Sequence, residues 1–369
     1  MTSKKVIVVI YGGVSAEHEV SCRSAAYVLK NLDKTKYDIL PIGIRKDGSW
    51  HKQSLSDLLN YRSPELPIEK DMSSSKEFSS SSPKEWFINF CGPHIEGRFD
   101  DCVLFPVIHG TNGEDGTLQG FLELIGINYV GSNHLGSAIG MDKVVAKKLV
   151  QHAGIDVVPW VDFDVFKWKT DKSVLLSECQ KLKYPLFVKP VNSGSSVGIT
   201  MVSDESGLES AIEFALKYDM KVLIETGISA REIECAVISG EELLVSIPGE
   251  IEASKDFYSY DAKYNDADGA KIQVPANLTA VQTQNVREIA SVIYGCLELY
   301  GMARVDLFID KNSQKIYFNE VNTIPGFTQI SQFPVMWEKS NVSAKELIDK
   351  LIESAVLRGT KQKELVRTW

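Results

Sequence analysis

The sequence predicts an α/β protein of several domains that opens on a parallel sheet. Three observations carry this. Val6 to Ile10 is an unbroken apolar run, Gly12-Gly13 follows at once, and Ala25, Val28, Leu29 and Leu32 then recur at helical spacing. An apolar run without alternation suits a parallel strand covered on both faces, and strand, glycine turn and helix together begin an α/β unit. A length of 369 residues fits two or three such units.

The first unit, residues 1–131, continues with strands expected over Tyr37 to Ile44 and Cys102 to Ile108. Between them, seven of the ten residues 73–82 are serine, which reads as a surface insertion. The second unit, 132–228, begins near Ser132 with a helical segment from Met141 to His152. A short strand through Tyr184 to Pro190 comes next, then the small-residue loop Asn192 to Gly198 and a strand Val222 to Glu225, with Gly227 as a hinge. The third unit, 229–369, has hairpin strands at Glu232 to Ile238 and Leu243 to Ile247, followed by a polar loop from Ser254 to Lys271. A helix is expected from Val281 to Tyr300, then a strand pair over Met302 to Ile309 and Lys315 to Asn322. The last helix starts at the capping box Ser343-Ala344-Lys345-Glu346, buries Leu347, Ile348, Leu351 and Ile352 on one face, and is expected to end at Gly359.

Composition narrows the function. A net charge of −9 argues against a nucleic-acid binder with a general basic surface. The six cysteines are scattered without a Cys-x-x-Cys, as expected of buried thiols in a reducing compartment. Lys4-Lys5 and the apolar run resemble a signal peptide, but Gly12-Gly13, Glu17 and Glu19 break the pattern. No stretch approaches the ~18 apolar residues of a membrane span. A cytoplasmic protein acting on neither membrane nor nucleic acid is expected.

Chemistry concentrates in the last strand pair. Period two puts Arg304 and Asp306 on one face, with Val305 and Leu307 on the other. A turn near Ser313 sets Asp306 opposite Glu320 and Arg304 opposite Asn322. Two carboxylates and an amide oxygen suit Mg²⁺ bound together with substrate phosphates; the alternative is a solvated sheet face with a cross-strand ion pair. The loop after Lys189 offers backbone N–H groups to a phosphate, or is simply a flexible surface loop. The helix N-terminus after Gly12-Gly13 can hold a carboxylate or phosphate, with Glu17 there an ordinary first-turn acid, and His109 is a catalytic group or a packing histidine.

In order along the chain, Gly12-Gly13-Val14-Ser15-Ala16-Glu17-His18-Glu19-Val20-Ser21, His109-Gly110-x-x-Gly113-Glu114-Asp115-Gly116 and Met141-Asp142-Lys143 are followed by Lys189-Pro190…Gly194-Ser195-Ser196-Val197-Gly198. Then come Tyr260-Asp261-Ala262-Lys263-Tyr264, Arg304-Val305-Asp306 and Asn319-Glu320-Val321-Asn322-Thr323-x-Pro325-Gly326. This set resembles the D-alanine–D-alanine ligase family of the ATP-grasp superfamily over nearly the whole chain. Departures are the serine-rich insertion and Thr226, where some members carry lysine. The resemblance implies a three-domain ATP-grasp fold with an N-terminal Rossmann-like domain. The implied reaction is ATP-dependent joining of two D-alanines through an acyl phosphate, for peptidoglycan, by a homodimer.

By the same resemblance, Lys143, Lys189 and Lys263 touch the phosphates, with Ser196 and Asn319 also at the nucleotide. Glu225 sits at the adenine hinge and Glu232 at the ribose. Asp306, Glu320 and Asn322 hold two Mg²⁺ or Mn²⁺. Glu17 receives the first ammonium and forms a triad with Ser195 and Tyr264. Arg304 and Gly326 line the oxyanion site, Ser331 meets the second carboxylate, and His109 lies near the first substrate. A ligase adding D-serine or D-lactate, of the vancomycin-resistance type, and a catalytically silent ATP-grasp regulatory protein are the alternatives. The polar stretch from Ser254 to Lys271 is the natural closing loop.

Overall fold

The computed structural model describes residues 4–70, 82–253 and 270–366. The opening apolar run becomes β1 (Lys5–Gly12), and Val6 to Ile10 are at most 1% exposed. After it come α1 (His18–Asn31), β2 (Tyr37–Ile44), β3 (Trp50–Lys52), α2 (Leu55–Asn60), α3 (Pro83–Cys91), β4 (Cys102–Pro106), α4 (Thr117–Ile125) and β5 (Asn128–Tyr129). The sheet order is β3-β2-β1-β4-β5, parallel except for β3. Alternation sorts β1 between two cores: Ile7 and Val9 pack with α1, while Val6, Val8 and Ile10 pack with Phe87 of α3 and Leu122 of α4. The turns after β1 and β4 meet, since Ser21 Oγ takes the N–H of Gly12 at 2.7 Å and also donates to the Val107 carbonyl.

A separate helix not read from the sequence, α5 (His134–Met141), precedes the helix expected around Met141 to His152, which is α6 (Lys143–His152). Asp142 divides them because its carboxylate caps the second, accepting from Val144 N at 3.0 Å and Val145 N at 2.8 Å. A four-stranded antiparallel sheet follows, formed by β6 (Trp160–Asp164), β7 (Leu186–Pro190), β8 (Thr200–Val202) and β9 (Lys221–Thr226), in order β6-β9-β7-β8. Its own core includes Leu175 of α7 (Val165–Cys179) and Ile212 of α8 (Leu208–Ala215). Ala146 and Val150 of α6 pack elsewhere, against Val305, Leu307 and Phe318 of the third sheet.

That sheet contains β10 (Ala230–Ser239), β11 (Leu243–Val245), β12 (Gly249–Ala253), β13 (Ala270–Gln273), β14 (Met302–Asp310) and β15 (Ile316–Asn322). Its order is β13-β12-β10-β14-β15, with β11 paired to β10. The helix expected to reach Tyr300 is α9 (Ala280–Cys296) and stops earlier; Glu298 and Gly301, beyond it, have φ of +53° and +69°. β14 and β15 pair as the alternation predicts, Asp306 opposite Glu320 and Arg304 opposite Asn322. A bulge then shifts the register to Leu307 opposite Phe318, leaving Asn319 as the extra residue.

After α10 (Gln332–Lys339), α11 (Ala344–Lys363) closes the chain, and Ser343 and Glu346 form the expected capping box. Gly359 does not end this helix. A Cβ there would lie 1.8 Å from Asn128 Oδ1, so the glycine allows close approach to β5. Leu347 and Leu351 of α11 share a core with Ile7 and Val9, so the last helix covers the first sheet. Among the described residues no helix is long and apolar enough to cross a membrane. Lys263 and Tyr264, the loop that holds them and nearly all of the serine-rich run lie outside the described residues.

Candidate active site

Glu17 sits between the Gly12-Gly13 turn and α1, and Ser195 donates a hydrogen bond to its carboxylate from the loop after β7. Two glycines make room for that carboxylate. A Cβ at Gly110 would lie 2.6 Å from Glu17 Oε2, and one at Gly194 would lie 2.8 Å away. Ser195 and Ser196 have φ of +51° and +59°, a left-handed pair that non-glycine residues adopt only where surroundings impose it.

His109 and Glu114 lie deeper, 3% and 8% exposed. Glu114 accepts from Gly110 N at 2.7 Å and from Ile324 N at 2.9 Å. Burial and the nearby Glu17 charge push its carboxyl up to about 8. Burial pushes the His109 imidazole down, which favours its neutral form. Gly326 follows shortly after Ile324. Ser331, at the start of α10, accepts from Thr328 N at 3.0 Å.

The third sheet supplies the other end. Arg304 grips Asp306 with two bonds of 2.7 Å and lies 3.1 Å from Glu234. Burial opposes its charge, but Asp306 and Glu234 outweigh that and hold the guanidinium ionised. Asn322 Nδ2 donates to Asp306 at 3.0 Å. Lys143 Nζ lies 3.2 Å from Glu320 and donates to the Ser193 carbonyl at 2.8 Å. Glu225 pairs with Lys147 at 3.0 Å and more tightly with Lys189.

Every described residue singled out from the sequence lines one cleft of about 1780 Å³: Glu17, His109, Ser195, Arg304, Gly326 and Ser331; Lys143, Lys189, Ser196, Glu225, Glu232 and Asn319; and Asp306, Glu320 and Asn322. The donor chemistry suits a hard divalent cation. Asp306 and Glu320 face each other on adjacent strands beside Asn322, and a polyphosphate in the same cleft could supply the remaining oxygens. Among the described residues no cluster of three or more His, Cys, Asp or Glu forms a self-sufficient metal cage.

Sequence reasoning missed Lys147, Glu234, Glu114 and Ser24, whose Oγ lies 2.9 Å from His109 Nε2 behind the cleft. Lys147 had a signal, since it stands one turn after Lys143. Glu234 also had one, two residues after Glu232 and opposite Asp306. Ser24 had none, because its partners are distant in sequence.

Comparison with known proteins adds the following. The family model described as D-ala D-ala ligase N-terminus matches residues 6–132, and D-ala D-ala ligase C-terminus matches 149–353. A D-alanine–D-alanine ligase of Caldicellulosiruptor bescii is 45% identical, covering 99% of this chain and 98% of its own. Among solved structures, the VanG D-Ala:D-Ser ligase from Enterococcus faecalis has a TM-score of 0.78 at 38% identity, covering 96% of this chain and 100% of its own. The D-alanine-D-alanine ligase from Coxiella burnetii also reaches 0.78, at 33% identity, over 99% and 97%.

Proposed function

The chain belongs to the D-alanine–D-alanine ligase family, and from that premise we propose how its cleft carries out the reaction. It is an ATP-dependent ligase that joins two D-alanines into D-alanyl-D-alanine for peptidoglycan synthesis. Its three lobes divide near residues 131 and 228.

A carboxylate is a poor acyl donor. The first D-alanine's carboxylate oxygen therefore attacks the γ-phosphorus of ATP, the bond to ADP breaks, and an acyl phosphate forms. The second D-alanine then attacks the carbonyl as the free amine. The C–N bond forms, the amine sheds its proton, and inorganic phosphate leaves. Glu17 receives the first ammonium, with Ser195 fixing the carboxylate's orientation. Lys143, Lys189 and the backbone at Ser196 hold phosphates whose repulsion would otherwise block transfer. Glu225 keeps Lys189 charged, since burial disfavours the ammonium but the adjacent carboxylate outweighs it. Glu225 also stands at the end of the strand facing the adenine, with Glu232 at the ribose and Asn319 beside the phosphates. Arg304 and the Gly326 N–H meet the developing oxyanion, and Ser331 meets the second carboxylate. Asp306, Glu320 and Asn322 would hold two Mg²⁺ or Mn²⁺, which supply charge neutralisation. We place the reaction in the cytoplasm, in a homodimer; six cysteines without a disulfide suit a reducing compartment.

One observation carries this reading. The Ser195–Glu17 bond joins the N-terminal turn to the loop after Lys189, so the groups proposed for the ammonium and the phosphates share one cleft. The test is product analysis with ATP, Mg²⁺ and equal D-alanine, D-serine and D-lactate. D-alanyl-D-alanine should dominate, with one ADP per dipeptide. Absence of D-alanine-dependent ADP release would reject the ligase, while dominance of D-serine or D-lactate product would reject only the second substrate.

A further inference from the structure

Both ring nitrogens of His109 are engaged, Nδ1 at 2.9 Å from the Ile324 carbonyl and Nε2 at 2.9 Å from Ser24 Oγ. A carbonyl only accepts, so Nδ1 carries the hydrogen. A buried neutral imidazole has one hydrogen, which leaves Nε2 bare. Ser24 Oγ must then donate to it, and that same oxygen accepts from Phe327 N at 3.2 Å. Every hydrogen is thereby assigned along Phe327 N–H, the Ser24 hydroxyl, the His109 ring and the Ile324 carbonyl. The chain of bonds starts and ends on one short segment, 324–327, which contains Gly326. Glu114 fixes the same segment from a third direction through Ile324 N.

We infer that His109, acting with Ser24 through its Nδ1–H tautomer, is a positioning residue for the Gly326 segment and not a proton acceptor in the reaction. The inference rests on the proposed role of the Gly326 N–H at the oxyanion. Such a donor contributes only if it is in place before charge develops. The Nε2 lone pair already accepts the Ser24 O–H hydrogen bond, so it is closed to an incoming amine. The charged groups that act on the ring are Glu17 ahead of α1 and Arg304 of β14, and the titratable Glu114, from the loop after β4, shares Ile324 with it and has its carboxyl pushed up to about 8. Glu17 favours the imidazolium and Arg304 opposes it, while burial outweighs both.

The test combines spectroscopy with kinetics on the full chain. In protein labelled with [¹⁵N]histidine, the resonance lost in His109→Asn identifies His109. It should report a neutral Nδ1–H ring throughout about pH 5.5 to 9. Ser24→Ala and His109→Ala should each lower kcat about tenfold, the effect of one buried hydrogen bond felt in the transition state. The double variant should be little worse than the weaker single, because both break one chain of bonds. His109→Asn, which keeps an N–H near Ile324, should recover part of the loss, and the pH dependence of kcat should keep its shape in all variants. A ring that titrates in that range would overturn the inference. So would a loss of about a hundredfold or more in both His109 variants, with a limb of the pH profile gone and Ser24→Ala unaffected. The spectrum of the unmutated ring holds even where a variant folds poorly. It is also separate from the ligase assignment, which fails only if the unmutated protein releases no ADP with D-alanine.

Discussion

Glu225 is 3% exposed and faces two lysines, so one anion answers two buried cations. Burial alone would raise its carboxyl, but Lys147 and Lys189 more than reverse this and hold it at about 2. The fully enclosed Lys147 is under-compensated, and burial lowers its ammonium. Glu225→Gln should therefore cost about 3–5 kcal/mol at neutral pH, because it strands two ammonium groups. The sign with pH follows from a folded value below the ordinary 4.5. The contribution is complete above that ordinary value and is lost as pH falls towards 2. In urea denaturation, the gap between parent and Gln variant should narrow by roughly 1 kcal/mol between pH 6.5 and 3.5; a constant gap would reject the account. Glu320 answers to activity instead. Glu320→Gln removes one of two facing carboxylates, so D-alanine-dependent ADP release should fall by roughly a hundredfold while the urea midpoint stays near the parent's. Near-parent turnover at saturating Mg²⁺ would remove Glu320 from the metal set.

Among the elements, the β14–β15 hairpin shows what could be read in advance and what could not. Alternation placed Arg304 with Asp306 and Glu320 with Asn322, and a turn near Ser313 then set the opposing pairs that the structure contains. The bulge at Asn319 was not legible, because period-two alternation is the same on either side of an extra residue. α6 was legible to within two residues of its start, whereas α5 before it was not, and only the side-chain bonds of Asp142 reveal the cap that divides them. For α11 the start was legible and the end was not. Ser343 and Glu346 signal locally, whereas Gly359 answers to Asn128, which is far away in sequence. Ser343 Oγ accepts from Glu346 N at 3.3 Å. Ser343→Ala should therefore cost about 1 kcal/mol, read as a lower thermal midpoint. An unchanged midpoint would show that packing against the first sheet, not the cap, holds the start of α11.

Across the whole molecule, the site exists only through contacts between distant parts of the chain. Ser195 reaches Glu17, Ile324 meets His109 and Glu114, and α11 returns to cover the first sheet. A sequence pattern shows that α11 buries one face; it does not show which sheet receives it. Arg358 of α11 anchors that return. Its guanidinium lies 4.2 Å from the Tyr129 ring centre and 4.9 Å from that of Tyr300, and it donates to the carbonyls of Gly131 at 2.6 Å and Tyr129 at 2.9 Å. Tyr129 belongs to β5, and Tyr300 directly precedes the β14 region, so one side chain ties the last helix to both the first and third sheets. A planar fork can stack between two rings while bonding in its own plane; an ammonium cannot do both. Arg358→Lys keeps the charge and should still lose about 1–2 kcal/mol, with Arg358→Ala losing more. Because the contact joins two sheets, the lysine variant should lower the urea midpoint of the whole protein without splitting the transition. A midpoint equal to the parent's would show that charge alone holds α11 in place. A split transition would show that Arg358 is what makes the first sheet unfold together with the rest.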